Sequence, residues 1–196
     1  RDGGFPEVHK YGRKDVLYEL LSDILARDII ARYGLREAKI IKELLVFLIS
    51  NVGKEYSYNN LAKIFGLGSV STVISYISYF EESYLVFTVP KFDFSYKKQV
   101  INAKKIYCID CGMINANTAS FSEDKGRLLE NAVFIHLRKK YKEIYYFREK
   151  YECDFVVKDG TKITQAIQVC YELTKDNRER EIEGLIGAMN RFKLKE

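Results

Sequence analysis

The chain has 196 residues, 47% of them hydrophobic and 14% aromatic, which is enough to bury a core as one large domain or two small ones. A formal charge of +5 permits an anionic partner, but 30% charged residues of both signs is also what an ordinary surface carries. No run approaches the roughly 18 apolar residues of a membrane span and no signal peptide precedes the first helix, so a cytoplasmic protein with no membrane partner is expected.

Residues 1–8 read as a loop with no core before it, as if a module lay upstream. From Val16 to Tyr33 apolar residues recur at helical spacing, ending at Gly34. A second helix places Ile40, Ile41, Leu44, Leu45, Leu48 and Ile49 on one face and stops at Gly53. Asn59 or Asn60 then caps a short helix, Gly66 and Gly68 break it, and Ser69 caps a third helix with Val70, Val73, Ile74, Ile77 and Phe80 inward. Strands at Tyr84–Val89 and Gln99–Ile101 around the basic loop 91–98 complete the pattern of a winged helix-turn-helix. Its outward candidates for DNA are Ser71, Thr72, Ser75, Tyr76 and Tyr79 on the third helix, with Lys97 and Lys98 on the wing. The third helix holds no lysine or arginine, so phosphate contact is expected ahead of base readout. The same module also serves as a protein contact or spacer.

Cys108 and Cys111 have zinc-site spacing that Cys153 and Cys170 could complete, but Cys108, Cys153 and Cys170 fall in apolar strands, where free cysteine acts as a small hydrophobe. Residues 115–121 read as loop. A helix from about Asp124 to Lys140 buries Leu128, Leu129, Val133, Phe134 and Leu137 and carries Glu130. Strands follow at 143–148, 153–158 and 163–171, then a helix from Lys175 to Phe192. This α-β-β-β-α order, with one carboxylate on the helix and another on a hairpin, is the layout of the PD-(D/E)xK, restriction-endonuclease-like fold, so an α+β chain is expected with segments 1–35, 36–104 and 105–196.

In the order of its pieces the chain resembles AAA-type ATPases of archaea and bacteria whose P-loop domain is followed by a C-terminal domain of unknown function. The residues that carry the likeness are Gly3-Gly4-Phe5-Pro6-Glu7, Lys105-Ile106-Tyr107 with Ile109-Asp110-Cys111-Gly112, Gly126 to Phe134, Asp154 to Val157, and Ile167 to Cys170. The resemblance implies a winged helix joined to a nuclease-like domain, both downstream of an ATPase module that would be a partner within the intact protein. No Gly-Lys-Ser/Thr phosphate loop is present in these residues, so ATP hydrolysis is assigned to that module.

Phosphodiester hydrolysis with a divalent metal needs hard oxygen ligands and a cation or base that helps form hydroxide. Glu130 and Asp154 are the candidate ligands, whereas the two remaining positions hold Gln168, with only a neutral carbonyl, and Cys170 in place of lysine. Lys175 or Arg178 would have to reach back. The expected site is therefore degenerate, with no cofactor in this chain and magnesium or manganese relevant only to a nuclease. Three functions stay open: a DNA- or partner-binding module, a metal-dependent endonuclease, and a protein-interaction or oligomerisation module. A nuclease-like site requires Asp154 and Gln168 on one face of the hairpin, which pairing of Lys158 with Lys162 across a three-residue loop provides. Glu130, Asp154 and Gln168 should then cluster without a completing lysine.

Overall fold

Pro6, whose fixed φ suits the first turn of a helix, opens α1 (Pro6–Tyr11) where a loop is expected. The computed structural model describes residues 3–12, 15–118 and 124–195 as a mixed α+β fold. It divides into two compact units, Arg1–Thr88 with Ile106–Glu123, and Val89–Lys105 with Asp124–Glu196. This division cuts across the segments read from sequence, because residues 89–105 belong with the C-terminal elements and 106–123 with the N-terminal ones.

In the first unit, α2 (Asp15–Ile24) runs into a π-helical stretch, Leu25–Ala31. Its buried residues, Leu17, Leu21, Leu25 and Ile29, repeat every four positions. A helix of ~3.6 residues per turn lets such a row drift around its axis, and the wider π turn brings it back in line. α3 (Ala38–Ser50) buries Ile41, Leu44, Leu45, Leu48 and Ile49. β1 (Glu55–Tyr56) precedes α4 (Tyr58–Ile64), whose cap is Ser57 rather than Asn59 or Asn60, since the Ser57 side chain accepts from Asn60 N. Ser69 caps α5 (Val70–Glu82) through Thr72 N. β2 (Val86–Pro90) follows.

The strand expected at Gln99–Ile101 is a helix, α6 (Tyr96–Ile101). The Asp93 carboxylate accepts from Ser95 N at 2.8 Å and Ser95 O from Gln99 N at 3.1 Å, so a side-chain turn starts helix before a ladder can form. The strand beside β2 is instead β3 (Lys104–Cys108), giving the order β1-β3-β2. Asp110 then caps α7 (Cys111–Asn117) through Met113 N at 3.0 Å, so residues 115–117 are helical rather than loop, while 119–121 lie outside the described residues.

In the second unit Asp124 caps α8 (Lys125–Lys140), which buries Phe134 and Leu137 but leaves Leu129 partly exposed. β4 (Glu143–Arg148), β5 (Glu152–Asp159) and β6 (Lys162–Ile167) form an antiparallel meander, and α9 (Arg178–Phe192) follows. The third strand ends four residues short of the expected Tyr171, leaving Cys170 in a loop where its thiol donates to Glu172 O. Phe147, Cys153, Val156, Ile163 and Ala188 make the core between sheet and α9.

The hairpin register differs from the one expected, since Lys158 pairs with Ile163 and not with Lys162. Asp159 pairs with Lys162 across a two-residue turn, with Gly160 at a positive φ of 58°. A bulge then inserts Thr164, so that Val157 pairs with Gln165 and Phe155 with Ile167. One step further, this register sets Asp154 opposite Gln168. A second bulge places Asp154 and Phe155 against the single residue Tyr146 of β4. It lets Cys153 and Val156 both enter the core while Asp154 turns away from it.

Candidate functional site: a lysine among three carboxylates

β3 is apolar from Ile106 to Cys108, yet its second residue is Lys105, 1% exposed. A buried ammonium must be paired and must satisfy its three N–H donors. Lys105 does so with three carboxylates: its Nζ lies 2.6 Å from Glu152 Oε1, 2.9 Å from Glu130 Oε1 and 3.1 Å from Asp154 Oδ1. These acids come from α8 and from the first residues of β5, where the bulge aims Asp154.

The acids are held in turn by a surrounding shell. Val169 N donates to Asp154 Oδ2 at 3.0 Å, and Arg148 pairs with Glu152 Oε2 at 2.5 Å. Gln168 accepts from Asp154 N at 3.2 Å and donates through its amide nitrogen to Glu181 Oε2, which belongs to α9. Arg180 pairs with the other Glu181 oxygen at 2.7 Å. Four carboxylates, Glu130, Glu152, Asp154 and Glu181, thus meet three cations, Lys105, Arg148 and Arg180. Burial, and next the Glu130 charge, push the Asp154 carboxyl up to about 7, with Lys105 pulling the other way. Burial alone would lower Lys105, but Glu130, Asp154 and Glu152 outweigh it and hold the ammonium above the usual lysine value.

Magnesium demands near-octahedral oxygen ligands at ~2.0–2.1 Å. Here the Lys105 ammonium takes the oxygens such an ion would need, and among the described residues no group of three or more His, Cys, Asp or Glu is arranged to hold a metal. The residues present do not fit a divalent ion. Nor do the four cysteines form a zinc site: all are free, and burial pushes the Cys108 and Cys153 thiols up to about 12.

Of the residues singled out from sequence, Glu130 and Asp154 meet on Lys105, Gln168 touches Asp154 through its backbone, and Cys170 takes no part. The expectation that no lysine reaches the acids is overturned by Lys105, while Lys175 and Arg178 are exposed. The expected set also omits Glu152 and Glu181. The available signal was charge inside an apolar strand: a lysine beside Ile106 and Tyr107 must find buried acids, and the chain offers few.

On α5, Ser71 is exposed and Thr72 and Ser75 are half-buried, and the Ser69 hydroxyl contacts those of Ser71 and Thr72. Tyr76 is not outward: it is 7% exposed and donates to Glu37 Oε2 at 3.0 Å. Ile74, expected inside, is instead 45% exposed. Tyr79 stacks on Tyr33 with ring centroids 3.7 Å apart. Lys97 and Lys98 lie on α6, not on a β wing, and Lys98 pairs with Asp93 at 3.8 Å.

Residues 2–124 match the family described as domain of unknown function DUF8612, and residues 125–194 match domain of unknown function DUF4143. The chain belongs to the DUF8612 family, which covers more than half of it. It is 39% identical, over 98% of its length, to the uncharacterized protein MJ1544 of Methanocaldococcus jannaschii, of which it spans 45%. It is 24% identical, over 91% of its length, to an uncharacterized protein of Haemophilus influenzae, of which it spans 46%. The chain therefore spans about half the length of the curated relatives it matches. No solved structure gives a significant match. No described helix is long and apolar enough to cross a membrane.

Proposed function

We propose that this chain is the C-terminal portion of an AAA-type ATPase, a module that binds DNA or a protein partner and carries a nuclease-like unit that does not cut. The observation that carries the reading is Lys105, whose ammonium bonds oxygens of Glu130, Glu152 and Asp154 and so occupies the place among the acids that a divalent ion would need. The ATPase context is supported by the motif resemblance and by relatives about twice as long as this chain. The winged-helix reading is supported by the order α3-β1-α4-α5-β2-α6-β3, in which α6 stands between the last two strands, and by the sheet order β1-β3-β2. Ser71, Thr72 and Ser75 offer hydroxyls to phosphate and Lys97 and Lys98 offer charge, so duplex binding is weak, insensitive to sequence and steeply salt-dependent.

Plasmid cleavage with magnesium or manganese tests the absence of activity. The intact chain should leave the plasmid whole. Cleavage that Glu130→Ala or Asp154→Ala abolishes would establish the second reading, a metal-dependent endonuclease. What favours that reading is the same residue: Lys105 brings to the acids the lysine that position 170 lacks. Duplex mobility shifts across a salt series test the binding. Shifts indifferent to salt would refute phosphate contact.

A further inference from the structure

A cleft of about 550 Å³ opens in the second unit between residues 92–99, the β5–β6 turn and the end of α9. Its size is within the ~300–1,000 Å³ of small-ligand sites. Two aromatic side chains on its wall stand in solvent: Phe94 is 72% and Tyr96 78% exposed. Phe94 has two neighbours, Phe92 in an edge-to-face contact at 5.2 Å and the Arg191 guanidinium 5.1 Å from its ring centroid. Phe92 in turn packs on Phe192 at 4.9 Å. Exposed rings on a braced base are a stacking platform rather than unfinished core.

The remaining wall is cationic. Lys158, Lys162, Arg191 and Lys193 line the cleft against one acid, Asp93, which is already engaged by Ser95 N and Lys98. Lys158 is neutralised by Glu143 at 2.6 Å and Arg191 is loosely paired with Glu149 at 3.7 Å. Among the described residues Lys162 and Lys193 have no ion-pair partner. Flat apolar faces beside unneutralised ammonium groups suit a ligand with an aromatic ring and a phosphate. We infer that the cleft binds a nucleotide unit, its base stacked on Phe94 and Tyr96 and its phosphate held by Lys162 and Lys193. The unit is either a free nucleotide or one residue of a single strand. Duplex DNA, whose bases are stacked on one another, cannot offer it. The inference goes beyond duplex binding through α5 and does not depend on it.

The test is fluorescence anisotropy of the full chain with labelled oligothymidylate of about 12 nucleotides, within the ~4–16 of known single-strand sites. Unlabelled thymidine monophosphate and the matching duplex serve as competitors. Single-strand binding should weaken about tenfold or more in Phe94→Ala/Tyr96→Ala and in Lys162→Glu/Lys193→Glu, and persist in Phe94→Trp. Competition by the monophosphate in the same low concentration range would identify a free nucleotide as the natural source, and its absence a strand. Anisotropy that never rises with strand, together with no saturable binding of the monophosphate by calorimetry, overturns the inference. So does binding that Phe94→Ala/Tyr96→Ala leaves unchanged. Both rings are largely exposed, so unfolding midpoints of these variants should match the parent, and duplex mobility shifts are read separately.

Discussion

The Lys105 ammonium lies 3.1 Å from the Asp154 carboxylate, yet that carboxyl titrates well above the ordinary range, because burial and the Glu130 charge outweigh a cation that Asp154 shares with Glu130 and Glu152. An aspartate titrates near ~3.9 in an unfolded chain, so between that value and about 7 the native state holds the extra proton. Stability then falls as pH rises through that window, since the proton count is larger in the folded form. Asp154→Asn should flatten this slope between about pH 4 and 7 and leave the protein as stable as the parent, or more so, at pH 8. Urea unfolding at several pH values checks it, and a parent whose stability climbs over the same interval with Asp154 intact contradicts it.

Removing the cation should have the opposite outcome. Lys105→Met keeps the volume of the stem but leaves Glu130, Glu152 and Asp154 facing one another with no shared partner. Breaking a buried ion pair from one side typically costs about 3–5 kcal/mol. A thermal midpoint lowered accordingly at neutral pH and partly restored in mild acid, where the acids protonate, is the expected signature. If magnesium instead raised the midpoint of Lys105→Met and left the parent unmoved, the acids would be a metal site that the lysine normally closes.

Helices with strong apolar spacing were legible in the chain, as was the α-β-β-β-α order, because burial periodicity and β-branched runs are local signals. What failed was decided by single polar contacts or by packing. Gln99–Ile101 looked like a strand until the Asp93 turn started a helix. Tyr76 and Ile74 exchange their expected sides because the Tyr76 hydroxyl finds Glu37 across 39 residues, a contact no window can see. In the site, the two acids on expected elements were visible, whereas Lys105 joins Asp154 across 49 positions and two bulges aim the hairpin.

Tyr76 is accordingly a structural residue. Burial first, and then its bond to Glu37, raise its hydroxyl above the usual tyrosine value, and substitution by phenylalanine removes one hydrogen bond with little change in shape. Tyr76→Phe should cost about 0.5–1.5 kcal/mol of stability and leave duplex affinity where it was. Ser71→Ala, at an exposed position on the same helix, should leave stability within ~0.5 kcal/mol and weaken duplex binding modestly. Mobility shifts and denaturant midpoints on both variants separate the roles, and a reversed pattern would return Tyr76 to the outer face.

Gly184 and Gly187 sit one turn apart on α9 and should respond to alanine with opposite signs. α9 buries Glu181, Gly184 and Ala188 along one stripe, and the missing side chain at 184 lets the helix lie directly on β5. A Cβ there would stand 2.0 Å from the carbonyl oxygen of Glu152 and 2.8 Å from its carbon, both backbone atoms that no rotamer change can move. Gly184→Ala must therefore lift α9 from the strand, with an overpacking cost of about 1–3 kcal/mol or more. The displaced strand residue is Glu152, the acid nearest Lys105, so the carboxylate cluster should loosen with it. At Gly187 an added Cβ meets nothing within 4 Å, and alanine there should gain about 0.8–1.0 kcal/mol from helix propensity alone. Thermal melts of the two single variants decide the matter. Equal shifts of either sign would mean that α9 does not approach β5 as closely as Gly184 allows.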